Sequence, residues 1–300
     1  MSSPAVCLVC GQPAELDRVL GTLARCRTCG FVTWPQAPPD PAALYNEQYF
    51  TRVDYPDYLG NESALRRSMV RHLHQMTHYW CRRGALLEIG SAYGFFLDEA
   101  RNHFDRVVGV DVAAPVVERA GHRFGVEVHA GEFLELPFEE ATFDIVCLWD
   151  TVEHLPRPDH VLAKARRLLR PEGRLFLTTG DLSSLNARMR GARWRQIHPP
   201  SHLHYFSRDT MSRLLERVGF RVLEFETSAY YHSVHNVLAT LRLRGGSAAG
   251  VSHVVLRALG DGIARRMGFW INLGDIMFVA AAPNVATLMS CEPTTAASGR

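Results

Sequence analysis

From Gly84 onward the chain repeats one unit: a short apolar run, a loop, then a stretch with helical spacing. The apolar runs are Ala85–Ile89, Arg106–Asp111, Val126–His129, Phe143–Trp149 and Gly173–Thr179. The helical stretches between them run to about His103, begin at Pro115, and span about Asp159–Leu169. Strands that alternate with helices at this interval form a parallel sheet with right-handed crossovers, so an α/β fold is predicted. Ligands of such sheets bind beyond the carboxyl ends of the strands, where the strand order switches. After Thr179 the units lengthen. Ser207 is a predicted N-cap, Leu214, Leu215 and Val218 form a buried helix face, Gly219 ends that helix, and Phe220–Phe225 is a sixth strand. Residues 230–274 read as helical, with Val234, Leu238, Leu241, Val254, Val255 and Leu259 as the apolar positions, and they interrupt the sheet before a last strand, Asp275–Ala280. The small, polar residues beyond Pro283 predict a disordered tail over 284–300.

The composition agrees with a folded enzyme-sized chain. Of 300 residues 47% are hydrophobic and 21% charged, which supports a sizeable core and excludes a disordered chain. No apolar run approaches the roughly 20 residues that span a bilayer. Residues 1–9 have neither the basic nor the long apolar region of a secretory signal, so a cytoplasmic protein is expected. With 33 Lys+Arg against 31 Asp+Glu the net charge is only +2, without the basic surplus of a dedicated nucleic-acid binder. Almost all the positive charge is arginine; Lys164 is the single lysine.

Four of the seven cysteines form two pairs, Cys7/Cys10 and Cys26/Cys29, each with two residues between the thiols and a glycine (Gly11, Gly30) after them. That spacing lets both sulfurs of a knuckle reach one tetrahedral ion at about 2.3 Å. The glycines permit the turn that aims backbone N–H groups at the sulfurs. A structural Zn2+ ion held by Cys7, Cys10, Cys26 and Cys29 is expected, since four thiolates leave no open position for catalysis. Two disulfides are the alternative, which a reducing compartment disfavours. Cys81, Cys147 and Cys291 have no paired spacing. The ribbon is predicted to occupy 1–34. A proline-rich linker and helical lid follow over 35–83, including a helix over about 61–83 with Leu65, Met69, Leu73 and Met76 at helical spacing, and the α/β domain fills 84–283.

Glu88-Ile-Gly90-Ser-Ala92-Tyr-Gly94 stands at the first strand–loop–helix junction. Glycines there let a ligand approach the backbone, and the following helix offers free N–H groups. A dinucleotide loop would carry small residues at its second and third glycine places. Here those places hold Ala92 and Phe95, and Glu88 precedes the loop, where a carboxylate suits an ammonium group and repels a pyrophosphate. This points away from NAD and toward S-adenosylmethionine. Asp111 ends the second strand, where a carboxylate can accept the ribose hydroxyls of an adenosine. Glu132 and Phe133 follow the third strand, beside the adenine, and Trp149 and Asp150 follow the fourth, beside the methionine part.

On these motifs residues 84–180 resemble the core of class I S-adenosylmethionine-dependent methyltransferases of the small-molecule type. The runs Phe143-Asp-Ile-Val with Val152-Glu-His-Leu-Pro and Arg167-Leu-Leu-Arg-Pro-Glu-Gly-Arg-Leu-Phe carry the resemblance further. It implies a Rossmann-like sheet of seven strands, the last antiparallel. Ala92 stands where many members have glycine. Ser201-His202-Leu-His-Tyr205-Phe206-Ser207 resembles the Glu-His…Tyr-Phe-Ser segment of deoxysugar C-methyltransferases, which also carry an N-terminal four-cysteine zinc module. By that resemblance the catalytic base falls on His202, while Ser201 replaces the neighbouring glutamate.

Methyl transfer is an in-line displacement with a neutral leaving group, so the protein positions the acceptor, excludes water and removes a proton. Glu153 and His154, just past the fourth strand, are further catalytic candidates, and a histidine can work as base near neutral pH. A helix-start histidine packed beside Pro156 and Pro158 is the structural alternative for His154. His198, His202 and His204 together could instead bind a metal. Tyr49, Tyr55 and Tyr58 are placed on a lid, either over the cofactor or packed on the core. The expected substrate is a small-molecule methyl acceptor of natural-product or sugar type, and the oligomeric state is left open, a homodimer among the options. An RNA methyltransferase gripping nucleic acid with its ribbon is the alternative function, but Arg18, Arg25 and Arg27 are offset there by Glu15 and Asp17. A non-enzymatic ribbon module on a degenerate cofactor fold is the third reading, against which Glu88, Gly90, Gly94 and Asp111 speak.

Overall fold

The computed structural model describes residues 6–45, 58–244 and 260–284, with isolated positions between 250 and 257. Tyr49, Tyr55 and the predicted tail from 285 lie outside the described residues. In chain order the N-terminal strands are β1 (Leu16–Val19), β2 (Leu23–Cys26) and β3 (Val32–Thr33), followed by helices α1 (Pro41–Leu44) and α2 (Glu62–Thr77). The repeating unit then gives β4 (Ala85–Ile89), α3 (Phe95–Ala100), β5 (Arg106–Asp111), α4 (Ala114–Phe124), β6 (Glu127–Ala130), β7 (Phe143–Trp149), α5 (Pro158–Leu168) and β8 (Leu169–Gly180). The remainder is α6 (Leu185–Arg190), β9 (His204–Tyr205), α7 (Arg208–Arg217), β10 (Phe220–Thr227), β11 (Tyr230–Ser233), α8 (Val234–Arg244), a helix over Asp261–Arg266, β12 (Gly268–Ile271) and β13 (Ile276–Pro283).

Seven strands form one sheet in the order β10-β13-β8-β7-β4-β5-β6. β4 through β8 pair in parallel, whereas β13 runs antiparallel to both β8 and β10. This is the predicted α/β architecture with its reversed last strand, and the strand order switches beside β4. Alternate residues face opposite sides of a sheet. Leu87, Val108, Val146, Leu148 and Leu177 accordingly join the cluster that buries α5 and α7, while Leu86, Ile145, Cys147 and Phe176 join the one that buries α2 and α3. Helix α7 starts as predicted: the Ser207 hydroxyl accepts from the Thr210 N–H and Thr210 reciprocates, a capping box.

The ribbon is joined to the larger sheet's loops. β1, β2 and β3 form an antiparallel sheet whose fourth strand is β9, with Val32 opposite Tyr205 and Thr33 opposite His204. The Trp34 N–H donates to the Leu203 carbonyl at 2.8 Å. Cys7, Val9, Cys26, Cys29 and Phe31 are buried in the same cluster as Phe206, Met211, Leu214 and Leu215. A ribbon too small to hold a core of its own therefore leans on α7.

The segment 230–274 is helical over Val234–Arg244 and Asp261–Arg266, while its two ends are strands. β11 and β12 pair antiparallel, Tyr231 opposite Trp270 and Ser233 opposite Gly268. Aromatic residues at both ends favour the pleated surface, which helical periodicity alone does not reveal. The predicted helix over 61–83 ends at Thr77. Among the described residues no helix is long and apolar enough to cross a membrane.

Candidate active site

The loop from β4 to α3 turns back over β5. Gly90 has φ +83°, and a Cβ there would lie 2.4 Å from the Thr151 hydroxyl, so the position admits no side chain. The N–H groups of Gly90 and Ser91 donate to the Val110 carbonyl at 2.8 and 3.0 Å. Asp111 answers from the end of β5: its carboxylate accepts from the Ala92 N–H and the Ala113 N–H, both at 2.9 Å. Burial raises the Asp111 carboxyl above its usual range, and these N–H groups work against the rise. Ala92 sits at φ +44°, in the left-handed region where a Cβ costs about 1 kcal/mol or more. This strain is the physical cost of the alanine at that place. Ala92→Gly is expected to raise stability by up to about 1 kcal/mol, read as a higher denaturation midpoint; a lower one would contradict the strain.

Above this loop, at the carboxyl ends of β4, β5 and β7, lies a cavity of about 670 Å³. Gly90, Ala92, Asp111, Glu132, Phe133, Trp149 and Asp150 line it, together with the catalytic candidates Glu153, His154 and His202. Two predicted cofactor positions are not among its lining residues. Gly94 caps α3 against Ala120 instead, and Glu88 is 3% exposed with one carboxylate oxygen unpartnered. Burial, with the nearby Asp111 charge, pushes the Glu88 carboxyl well up.

Several lining or supporting residues carry no motif and were not legible beforehand. The single lysine is one: Lys164 donates to the carbonyls of Phe133, Leu134 and Leu136 at 2.6, 3.2 and 2.6 Å, pinning the loop that bears Glu132 and Phe133. Tyr230 is another, donating to Asp150 at 2.6 Å, while the Thr178 hydroxyl donates to the other oxygen at 2.9 Å. Asp150 itself has φ +46°, a strained backbone of the kind that gathers at functional sites. His72 of α2 is fully buried and stacks on Trp149 with ring centroids 4.6 Å apart. The segment before β4 contributes Tyr45, Tyr58, Asn61 and Ser68 to the cavity wall. Tyr58 also stacks on Tyr93 and Phe95, at 5.5 and 5.8 Å.

The catalytic candidates meet at one end of the cavity. Glu153 and His154 occupy a 3-10 turn, Val152–His154, just after β7, and the Leu203 N–H donates to the Glu153 carbonyl at 2.9 Å, drawing the 198–203 loop across. Potential ligand atoms of Glu153, His154 and His202 all lie within 4.8 Å of one another. The rings of His154 and His202 meet edge-on at 4.5 Å, and His198 lies 3.7 Å from His202. His154 Nδ1 donates to the Ser201 carbonyl at 2.8 Å, and the ring also contacts the Asp150 backbone. Tyr45 reaches the same carbonyl at 3.2 Å. Burial holds the His154 imidazole down to about 4 and that of His202 well below its ordinary value. Burial, aided by the Asp150 charge, lifts the Glu153 carboxyl to about 8. The predicted grouping of His198, His202 and His204 does not form. His204 turns toward the ribbon, its Nδ1 3.0 Å from the Thr33 hydroxyl and its ring against Phe31, because β9 pairs with β3.

In the ribbon, sulfur separations are 3.7 Å for Cys7–Cys29 and 3.9 Å for Cys10–Cys26, and all four thiols are free. A disulfide needs about 2.05 Å. The edge of a tetrahedron with bonds of about 2.3 Å is about 3.8 Å. The Gly11 and Gly30 N–H groups close the knuckles onto the Cys7 and Cys26 carbonyls at 2.9 Å. Burial would raise the Cys26 thiol, but backbone N–H groups of Cys29 and Thr28 bring it to about 7.

A sequence model of the family described as "Methyltransferase domain" matches residues 62–225. The probable S-adenosylmethionine-dependent methyltransferase of Mycolicibacterium smegmatis is 26% identical over 190 residues, 63% of this chain and 70% of that protein. The 27-O-demethylrifamycin SV methyltransferase of Amycolatopsis mediterranei is 36% identical over 78 residues, 24% of this chain and 29% of that protein. The match spans only 24%, 33% and 30% of the length of three further curated relatives. Among solved structures, the YcgJ protein from Bacillus subtilis shares the fold, with a TM-score of 0.50 and 15% identity over 73% of this chain and 98% of that one.

Proposed function

Since the chain belongs to the methyltransferase-domain family, whose match covers more than half of it, we propose that it is an S-adenosylmethionine-dependent methyltransferase acting on a small molecule. The observation that carries this reading is the cavity at the strand ends, with the anchored Asp111 carboxylate on its wall and the Glu153–His154–His202 cluster at one end. Its volume falls in the range of small-molecule sites, about 300–1,000 Å³. S-adenosylmethionine, when bound, supplies an electrophilic methyl group on a sulfonium. Asp111 keeps lone-pair capacity beyond its backbone N–H partners and would hold the ribose hydroxyls. Glu132 and Phe133 would flank the adenine, on a loop that Lys164 keeps in place. Trp149 and Asp150 would meet the methionine part. Glu88, whose unpartnered buried oxygen fits a cationic ligand nearby, would act on the ammonium end through its field.

The acceptor is proposed to be a natural product or sugar. The Ser201–Ser207 segment and the relative named for a rifamycin substrate support that class. The acceptor proton leaves at the histidine cluster, with His202 as the base. Both imidazoles are neutral near pH 7 and so have lone pairs to offer. Residues 1–34 form the ribbon, where Cys7, Cys10, Cys26 and Cys29 would hold a structural zinc ion, a donor set and sulfur spacing that fit it. Residues 35–83 are linker and lid, and 84–283 the catalytic domain.

Calorimetry with S-adenosylhomocysteine tests the reading. Wild-type protein is expected to bind it, and Asp111→Ala to bind about ten- to a hundredfold more weakly through lost charge-assisted hydrogen bonds. Absence of binding by the wild type would overturn the proposal, and equal affinity in the variant would remove Asp111 from the site.

A further inference from the structure

We infer that Glu153, His154 and His202 form a second metal site, separate from the cysteine ribbon, that takes one divalent transition-metal ion and presents it to a hydroxyl-bearing acceptor. Two imidazoles and one carboxylate on one side of a cavity leave coordination positions open for substrate oxygen, a donor set suited to manganese, iron, cobalt or zinc. Their ligand atoms lie within 4.8 Å of one another. Around an ion with bonds of about 2.1 Å, neighbouring ligand atoms sit about 3–4 Å apart, so small side-chain rotations complete the shell.

Three features prepare these groups as ligands. The His154 Nδ1–H is committed to the Ser201 carbonyl at 2.8 Å, the outer-shell contact that orients a metal-binding imidazole. Glu153 is 3% exposed, and its Oε2 has no hydrogen-bond partner, neither imidazole included. A buried carboxylate oxygen left unsatisfied is costly, and a cation removes the cost. The two loops are held together independently of any ion by the Leu203 N–H on the Glu153 carbonyl, and within the second loop the Tyr205 hydroxyl fixes the His202 carbonyl, each at 2.9 Å. The arginines of the cavity wall are engaged elsewhere: Arg195 with Asp275 at 3.0 Å and Arg157 with Asp159 at 2.9 Å. Neither supplies the counter-charge for Glu153.

The purpose of the ion rests on the methyl-transfer reading: a cation at this end lowers the pKa of an acceptor hydroxyl bound to it, so that its proton passes to water, and His202 then serves as a ligand in place of the base role given above. The site itself is tested without turnover. Mn2+ has little affinity for a four-thiolate site, so the zinc-loaded 300-residue chain is titrated with Mn2+ and the free ion followed by its electron paramagnetic resonance signal. One Mn2+ per chain with micromolar affinity is expected. Glu153→Gln and His202→Gln are each expected to weaken it at least about tenfold, with S-adenosylhomocysteine affinity retained as the control for folding. Wild-type protein that binds S-adenosylhomocysteine but leaves millimolar Mn2+ free overturns the metal site alone. Mn2+ affinity unchanged in both variants also overturns it. Mn2+ binding without S-adenosylhomocysteine binding upholds the site and strikes the methyl-transfer reading instead.

Discussion

Replacing Cys26 and Cys29 together by serine is expected to abolish zinc binding and lower the melting temperature by about 10 °C. Zinc ligation supplies folding free energy directly in small metal modules, about 10–16 kcal/mol in isolated fingers. Losing even about 4 kcal/mol of it from a chain of this size shifts melting by roughly 8–16 °C. The loss does not stay local, because both cysteines are buried in the cluster that includes Phe206 and the α7 residues Met211, Leu214 and Leu215. The Arg217 guanidinium, also on α7, donates to the carbonyls of Leu8 and Val9 within the first knuckle. Differential scanning calorimetry and metal analysis read both effects. Unaltered melting with full zinc content would refute the assignment. Since β9 continues the ribbon's sheet, activity toward the acceptor is expected to fall further than affinity for S-adenosylhomocysteine.

His202→Ala is expected to cut turnover at least about a hundredfold, the usual scale for losing a positioned acid–base group. Cofactor affinity should be almost unchanged, because the wall proposed to hold the nucleotide is built by β4, β5 and the loop that Lys164 pins. The comparison separates the two ends of one cavity. A fully active variant would remove His202 from the chemistry, and a matching loss of S-adenosylhomocysteine binding would mark it as structural support.

The sheet and the loop that opens the cavity were legible because they are local. The central strands β4, β5 and β7 are short, largely apolar runs, and Gly90, Ala92 and Asp111 stand at fixed distances from strand ends, so position in the sequence carried position in space. The acceptor end was legible in its residue types and not in its grouping. His204 looked equivalent to His202 until β3, more than a hundred residues earlier, claimed it through Thr33. Glu153 and His154 joined His202 through contacts across two loops, from the Leu203 N–H to the Glu153 carbonyl and from the His154 ring to the Ser201 carbonyl, and nothing in composition or period marks them. Lys164 gave no sign beyond its rarity. Tyr230 lay in a stretch read as helical; its pairing with Ile271 sets it on β11, where its hydroxyl meets Asp150. Glu88 shows the converse. Its motif was evident, yet the fold buries it below a cavity wall that the motif alone suggested it would touch.

The shared ladder of β3 and β9 also defines what can be exchanged between relatives. A chimera that imports a foreign 198–207 loop to alter acceptor choice would face a host N-terminal strand with the wrong hydrogen-bonding edge, and Thr33 would lose both Leu203 and His204. Grafting must therefore move the cysteine head and the loop as one cassette, though most of the polypeptide separates them.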